Sequence, residues 1–114
     1  VENVVGLMTG KFEEKNGELY IDGKKVLKGW ESFSGWYWFA TEKVEDRKKG
    51  SESGGSIIEG KEKDDTIWYG YVQGLEDEWG NFSQAELEDL KPKVWELPKK
   101  SLVWSGRRKL DKVI

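Results

Sequence analysis

Residues 35–44, "GWYWFATEKV", decide how this chain is read. Alternation along a β-strand puts Trp36, Trp38 and Ala40 on one face and Tyr37, Phe39 and Thr41 on the other. Aromatic and β-branched side chains favour strands. Here both faces are largely apolar, so the strand belongs in the centre of a sheet covered on both sides. Residues 65–74, "DTIWYGYVQG", share this character, with Trp68, Gly70 and Val72 on one face and Ile67, Tyr69 and Tyr71 on the other. The two are expected to pair. Gly70 inside such a run signals a bulge or a close approach by an aromatic ring from the neighbouring strand.

Outward from this pair, residues 9–30, "TGKFEEKNGELYIDGKKVLKGW", contain Asn16-Gly17 and Asp22-Gly23. Each dipeptide suits a two-residue hairpin turn, which needs positive φ at both central positions. Leu19 and Ile21 fall on one side of the short strand between them, and a meander follows. Residues 45–64, "EDRKKGSESGGSIIEGKEKD", are polar and rich in Gly and Ser, and read as a flexible loop with Ile57 and Ile58 able to dock. One helix is expected at 84–91. Ser83 is its N-cap, Glu86 completes a capping box, and Phe82 with Leu87 forms a hydrophobic staple. Lys91-Pro92 should end it. "KVWELP" and "SLVWS" read as short extended pieces, followed by a basic tail at 106–114.

The sum is one compact α+β domain over 1–114, a mostly antiparallel sheet of about five to seven strands with one short helix. Trp36, Trp38, Phe39, Trp68, Tyr69, Val72, Phe82 and Leu87 are expected in or near its core. With 114 residues the chain suffices for one domain. It holds no Cys and no His. Disulfides, thiol nucleophiles, the commonest general base and the commonest zinc ligand are thereby excluded, and so is a serine triad with a His base. No run of 18 apolar residues occurs, and Val1-Glu2-Asn3 does not open like a signal peptide. The expectation is an intracellular protein of the host cytoplasm, without membrane contact or cofactor. Gln occurs only at 73 and 84 while Lys and Glu abound, as in heat-adapted proteins.

Charge is separated along the chain. Residues 74–90 carry Glu76, Asp77, Glu78, Glu86, Glu88 and Asp89 and no basic side chain. Residues 91–114 carry eight Lys or Arg against Glu96 and Asp111. Three chemistries follow. If the central strands form a hairpin, Glu42, Glu76 and Glu78 could gather at one sheet end and bind a partner or, through oxygen ligands, an ion such as Mg²⁺ or Ca²⁺. The plainer reading is three solvated carboxylates near the start of a helix, and no metal-loop spacing is present. Sheet aromatics with Arg107, Arg108 and Lys109 could stack bases and hold phosphates. Trp and Tyr on both faces of central strands serve as core just as well. The acidic block could contact a protein partner, or pair with the basic block of a second copy in a homodimer.

"WYWFATE", then "WYGYVQGLEDEWGNFSQAELE", then "LPKKSLVW" resembles a family of small uncharacterised proteins carried by plasmids, phages and other mobile elements. The likeness covers roughly residues 36–104, with Ala40-Thr41-Glu42, Gly74-Leu75-Glu76, Glu78, Gly80, Phe82-Ser83, Glu86-Leu87 and Leu97-Pro98 on its pattern. The resemblance implies a mobile-element setting and no mechanism; together with the heat-adapted composition, the expected source is an archaeal virus or plasmid. The expected function is therefore an accessory protein that acts by binding a host or element-encoded protein. A nucleic-acid-binding protein is the alternative, and a carboxylate-metal enzyme the third.

Overall fold

A computed structural model of the chain describes residues 10–103. Strands β5 (Tyr37–Arg47) and β8 (Asp65–Gln73) form the antiparallel centre of a five-stranded sheet of order β10-β4-β5-β8-β9. The others are β4 (Lys28–Ser32), β9 (Asp77–Ser83) and β10 (Val94–Glu96). Trp38 lies opposite Val72, and Phe39 opposite Tyr71. The pair runs from Tyr37↔Gln73 to Arg47↔Asp65, with irregularities after Ala40 and after Lys43. Gly70 faces the first of these. A Cβ on Gly70 would sit 1.9 Å from the carbonyl oxygen of Phe39. The glycine therefore admits a backbone rather than an aromatic ring.

Each face of the sheet has its own core. On one face lie Tyr37, Phe39 and Tyr71, covered by a meander of β1 (Phe12–Lys15), β2 (Glu18–Ile21) and β3 (Lys24–Lys25). Phe12 meets the ring edges of Phe39 and Tyr71 at 5.5 and 5.9 Å between centroids, a geometry that suits the ring quadrupoles. Asn16-Gly17 and Asp22-Gly23 adopt positive φ throughout, as type I′ turns require. Lys24 sits over the stacked rings of Tyr69 and Trp79, 5.6 Å from each centroid. The opposite face buries Trp30, Ala40, Trp68, Leu87 and Val94, with Trp38 and Phe82 packed against them. Helix α1 (Gln84–Asp89) covers part of it. Ser83 caps α1 by accepting the Glu86 N–H, and Leu90 closes it.

The architecture departs from the sequence reading in three places. Among the described residues ten strands form, in sheets of three, five and two, because residues 45–64 hold regular structure. β5 continues to Arg47, and β6 (Ser56–Ile58) pairs with β7 (Lys61–Lys63) across a positive-φ Glu59-Gly60 turn. Residues 99–103 are helical rather than extended. Pro98 starts this segment, as proline suits a helix's first turn, and its carbonyl accepts the N–H groups of Ser101 and Leu102. Leu102 then fills the space above Gly29, where a Cβ would lie 2.4 Å from its Cδ2. Finally, Trp30, not among the expected core residues, is fully buried; Trp38 and Phe82 pack half-buried against its cluster, and Trp36, Tyr69 and Val72 are half-buried. The basic tail 106–114 lies outside the described residues.

Gly70→Ala is expected to cost about 2–3 kcal/mol, since the added methyl meets main chain that cannot rotate away. Urea unfolding of the variant beside Gly80→Ala, which has open space above it, measures this.

Candidate functional site

The Ser32–Trp36 and Gly74–Glu76 turns meet at one end of the sheet, because Tyr37 pairs with Gln73. The first is rigidly built. Ser32 Oγ accepts the Trp36 N–H at 3.1 Å and bonds Ser34 Oγ at 2.9 Å. The Ser32 N–H donates to the Trp36 carbonyl, and the Phe33 N–H to that of Lys93. With its backbone held, Phe33 points outward and is 74% exposed. In the second turn, Gly74 lies under the Trp36 ring, where any Cβ would collide with it. Trp36 also stacks on Trp38 with centroids 5.9 Å apart. Between Gly74 and Glu76, Leu75 is 92% exposed. Two anchored turns thus hold two large apolar side chains in water.

Carboxylates border this apolar end. Glu76, Asp77 and Glu78 are all exposed. Asp77 is tethered, accepting hydrogen bonds from the Tyr71 hydroxyl at 3.2 Å and from Gln73 at 3.3 Å. Burial, then the charge and hydrogen bond of Asp77, push the Tyr71 hydroxyl up to about 12. Tyr71 therefore stays protonated and serves as a donor.

Glu42 does not join them. It lies opposite Tyr69, whereas Glu78 lies opposite Val72. Three residues separate the two rows, about 10 Å along the strands, and alternation sends the two side chains to opposite faces. The assumed gathering fails because β5 runs five residues beyond Glu42, to Arg47, and places it mid-strand. Among the described residues no group of three or more Asp, Glu, His or Cys can hold a metal. Arg107, Arg108 and Lys109 lie outside the described residues. No helix among the described residues is long and apolar enough to cross a membrane.

The sequence reading missed one buried charge, Asp65. Its carboxylate accepts Ser56 Oγ and Ser83 Oγ at 2.6 Å each, the Ala85 N–H at 2.8 Å and the Thr66 N–H at 2.7 Å. Burial alone raises its pKa. The hydrogen bonds from Ser56, Ser83, Ala85 and Thr66 outweigh that and hold it below the ordinary carboxylate value. With its oxygens so engaged, Asp65 is a structural tie between β6, β8 and the start of α1, not a base. Nothing in "KDDTIW" separates Asp65 from Asp64, so the sequence carried no signal for it.

Compared with protein-family models, curated proteins and solved structures, the chain matches none of them.

Three outcomes follow for the carboxylates. Because the folded pKa of Asp65 is depressed, its stabilisation is complete above the unfolded value of about 3.9 and is lost as pH falls through the folded one. Asp65→Asn should flatten the stability profile in that acid window, and Asp65→Ala should cost about 3 kcal/mol by stranding buried donors. Denaturant titrations at stepped pH measure both. Millimolar Mg²⁺ or Ca²⁺ should leave the melting temperature unchanged in wild type and in Glu76→Gln alike.

Proposed function

We propose that this chain is a non-enzymatic interaction protein whose apolar, acid-bordered sheet end seats in an apolar pocket rimmed by Lys or Arg on a partner protein. The observation that carries the reading is the exposure of Leu75 and Phe33 on turns held by Trp36, Gly74 and Ser32. Isolated exposed apolar residues are ordinary on a surface. Two at one sheet end, fixed by their own backbone contacts, instead offer side chains that lose little freedom on binding. Glu76 and Glu78 then act as a rim that steers a basic partner, the partner-binding role expected for them. Glu42 lies apart.

This surface favours protein over nucleic acid. Phe39 and Tyr71 are buried in the core, Tyr69 and Trp79 are occupied by Lys24, and the exposed carboxylates repel phosphates. A virus or plasmid as the source rests on the sequence resemblance over residues 36–104 alone. The Lys- and Glu-rich, Gln-poor composition supports a heat-adapted archaeal host, and action in its cytoplasm fits both.

The test is capture from the lysate of a thermophilic archaeon. Wild type should retain one dominant protein, and the double variant Phe33→Asp, Leu75→Asp should lose it with an unchanged melting temperature, as surface changes on turns leave stability nearly untouched. Equal recovery by both would overturn the reading.

A further inference from the structure

β9 is an outer strand of the five-stranded sheet, and among the described residues no strand pairs with its free side. Its hydrogen-bond parity follows from the turn before it. The Gly74 N–H donates to the Glu76 carbonyl, so the bonded rows continue as Val72↔Glu78, Gly70↔Gly80 and Trp68↔Phe82. The main-chain groups of Asp77, Trp79 and Asn81 consequently point away from β8. Of the usual protections of such an edge, "DEWGNFS" has neither Pro nor Lys, and its only charges, Asp77 and Glu78, lie at its start. Gly80 has nothing within 4 Å of where its Cβ would be. Trp79 Nε1 is buried with no hydrogen-bond acceptor.

Two further features bear on what fits there. No basic residue occurs from Gly74 to Leu90, and Asp77 and Glu78 occupy the start of the strand. A second copy of this strand would therefore offer no basic side chain to Asp77 and Glu78. At the other end of β9, between the β6–β7 hairpin and the sheet, lies a cleft of about 470 Å³ lined by Arg47, Ile57, Ile67, Phe82 and Glu86. Ile57 is 67% exposed beside it.

We infer that β9 receives an extended segment of a partner protein as an added antiparallel strand, with Lys or Arg opposite Asp77 and Glu78 and an apolar side chain in the cleft beside Phe82. This rests on the interaction reading and names its partner's chemistry. Main-chain bonds to Trp79 and Asn81 supply affinity, and the basic and apolar side chains supply selection, the division found wherever a strand is added to a sheet edge. Glu78 and Phe82 are four residues apart and on one face. The partner's basic and apolar residues therefore share that spacing.

The experiment uses the full chain and two synthetic peptides. One alternates Thr with Ile in its N-terminal half and with Lys in its C-terminal half; the other has Glu for every Lys. The Lys peptide should bind saturably, weaken steeply with salt, and slow amide exchange at Trp79 and Asn81 while leaving the already bonded amide of Gly80 unchanged. Asn81→Pro should weaken it about tenfold, the loss of one main-chain hydrogen bond, and should still fold because that N–H faces outward. Equal binding of the Glu peptide, no saturation, or binding without slowed exchange at Trp79 and Asn81 would overturn the inference. So would slow exchange at those amides in the free chain, from its own terminal segments or, at high concentration only, from a second copy. A lysate partner lost in the Phe33, Leu75 variant but kept by Asn81→Pro would overturn this inference and leave the interaction reading standing.

Discussion

The pairing of β5 with β8 is the constraint on which everything else rests. Between Tyr37 and Ala40 on β5, and between Trp68 and Tyr71 on β8, both faces are apolar, with Tyr37, Phe39 and Tyr71 on one side and Trp38, Ala40 and Trp68 on the other. A two-stranded ribbon of this kind is insoluble until both sides are covered. The meander and residues 99–103 cover one face; on the other, Leu87 of α1 packs with Trp30 of β4 and Val94 of β10. The price is backbone crowding at the centre, met by Gly70 against Phe39 and by Gly29 against Leu102.

Asp65 stands at the second organising point. Placing an ionised carboxylate where only 6% of the residue meets solvent is unfavourable unless its oxygens are satisfied. Here they gather donors from three separate parts of the chain. Ser56 comes from the hairpin insert, Thr66 from the central strand, and Ser83 with Ala85 from the start of α1. The insert and the helix are thus tied to the sheet at one shared residue, beside the buried contacts of Ile58, Ala85 and Leu87.

The central strands, the two Asx-Gly turns and the capped helix were legible in the sequence because each rests on local chemistry. Asn16-Gly17 and Asp22-Gly23 specify their turns without help, and Ser83 with Glu86 specifies the helix start. What was not legible depended on partners far along the chain. Glu59-Gly60 makes a turn like the other two but lacks the Asn or Asp that advertises it. Residues 99–103 coil because Leu102 must reach Gly29, more than seventy positions earlier. The candidate site was half visible: Glu76 and Glu78 were singled out, but Phe33 and Leu75 were not. An exposed apolar residue has the same letter as a buried one, and only the fold reveals which has been left outside. Glu42 was misplaced because register depends on strand length, and Glu45 to Arg47 did not read as strand.

The β6–β7 hairpin has a use of another kind. Its tip, Glu59-Gly60, is exposed, and a Cβ on Gly60 would meet nothing within 4 Å. Its base is held to the sheet through Ser56 and Asp65. A loop fastened at the root and free at the tip is where a foreign segment can be grafted without disturbing the scaffold. A reporter or affinity sequence set there would leave β9 and the Phe33–Leu75 end of the sheet untouched. The same anchored tip is also a place where lineages could lengthen or shorten the chain while keeping the central pair intact.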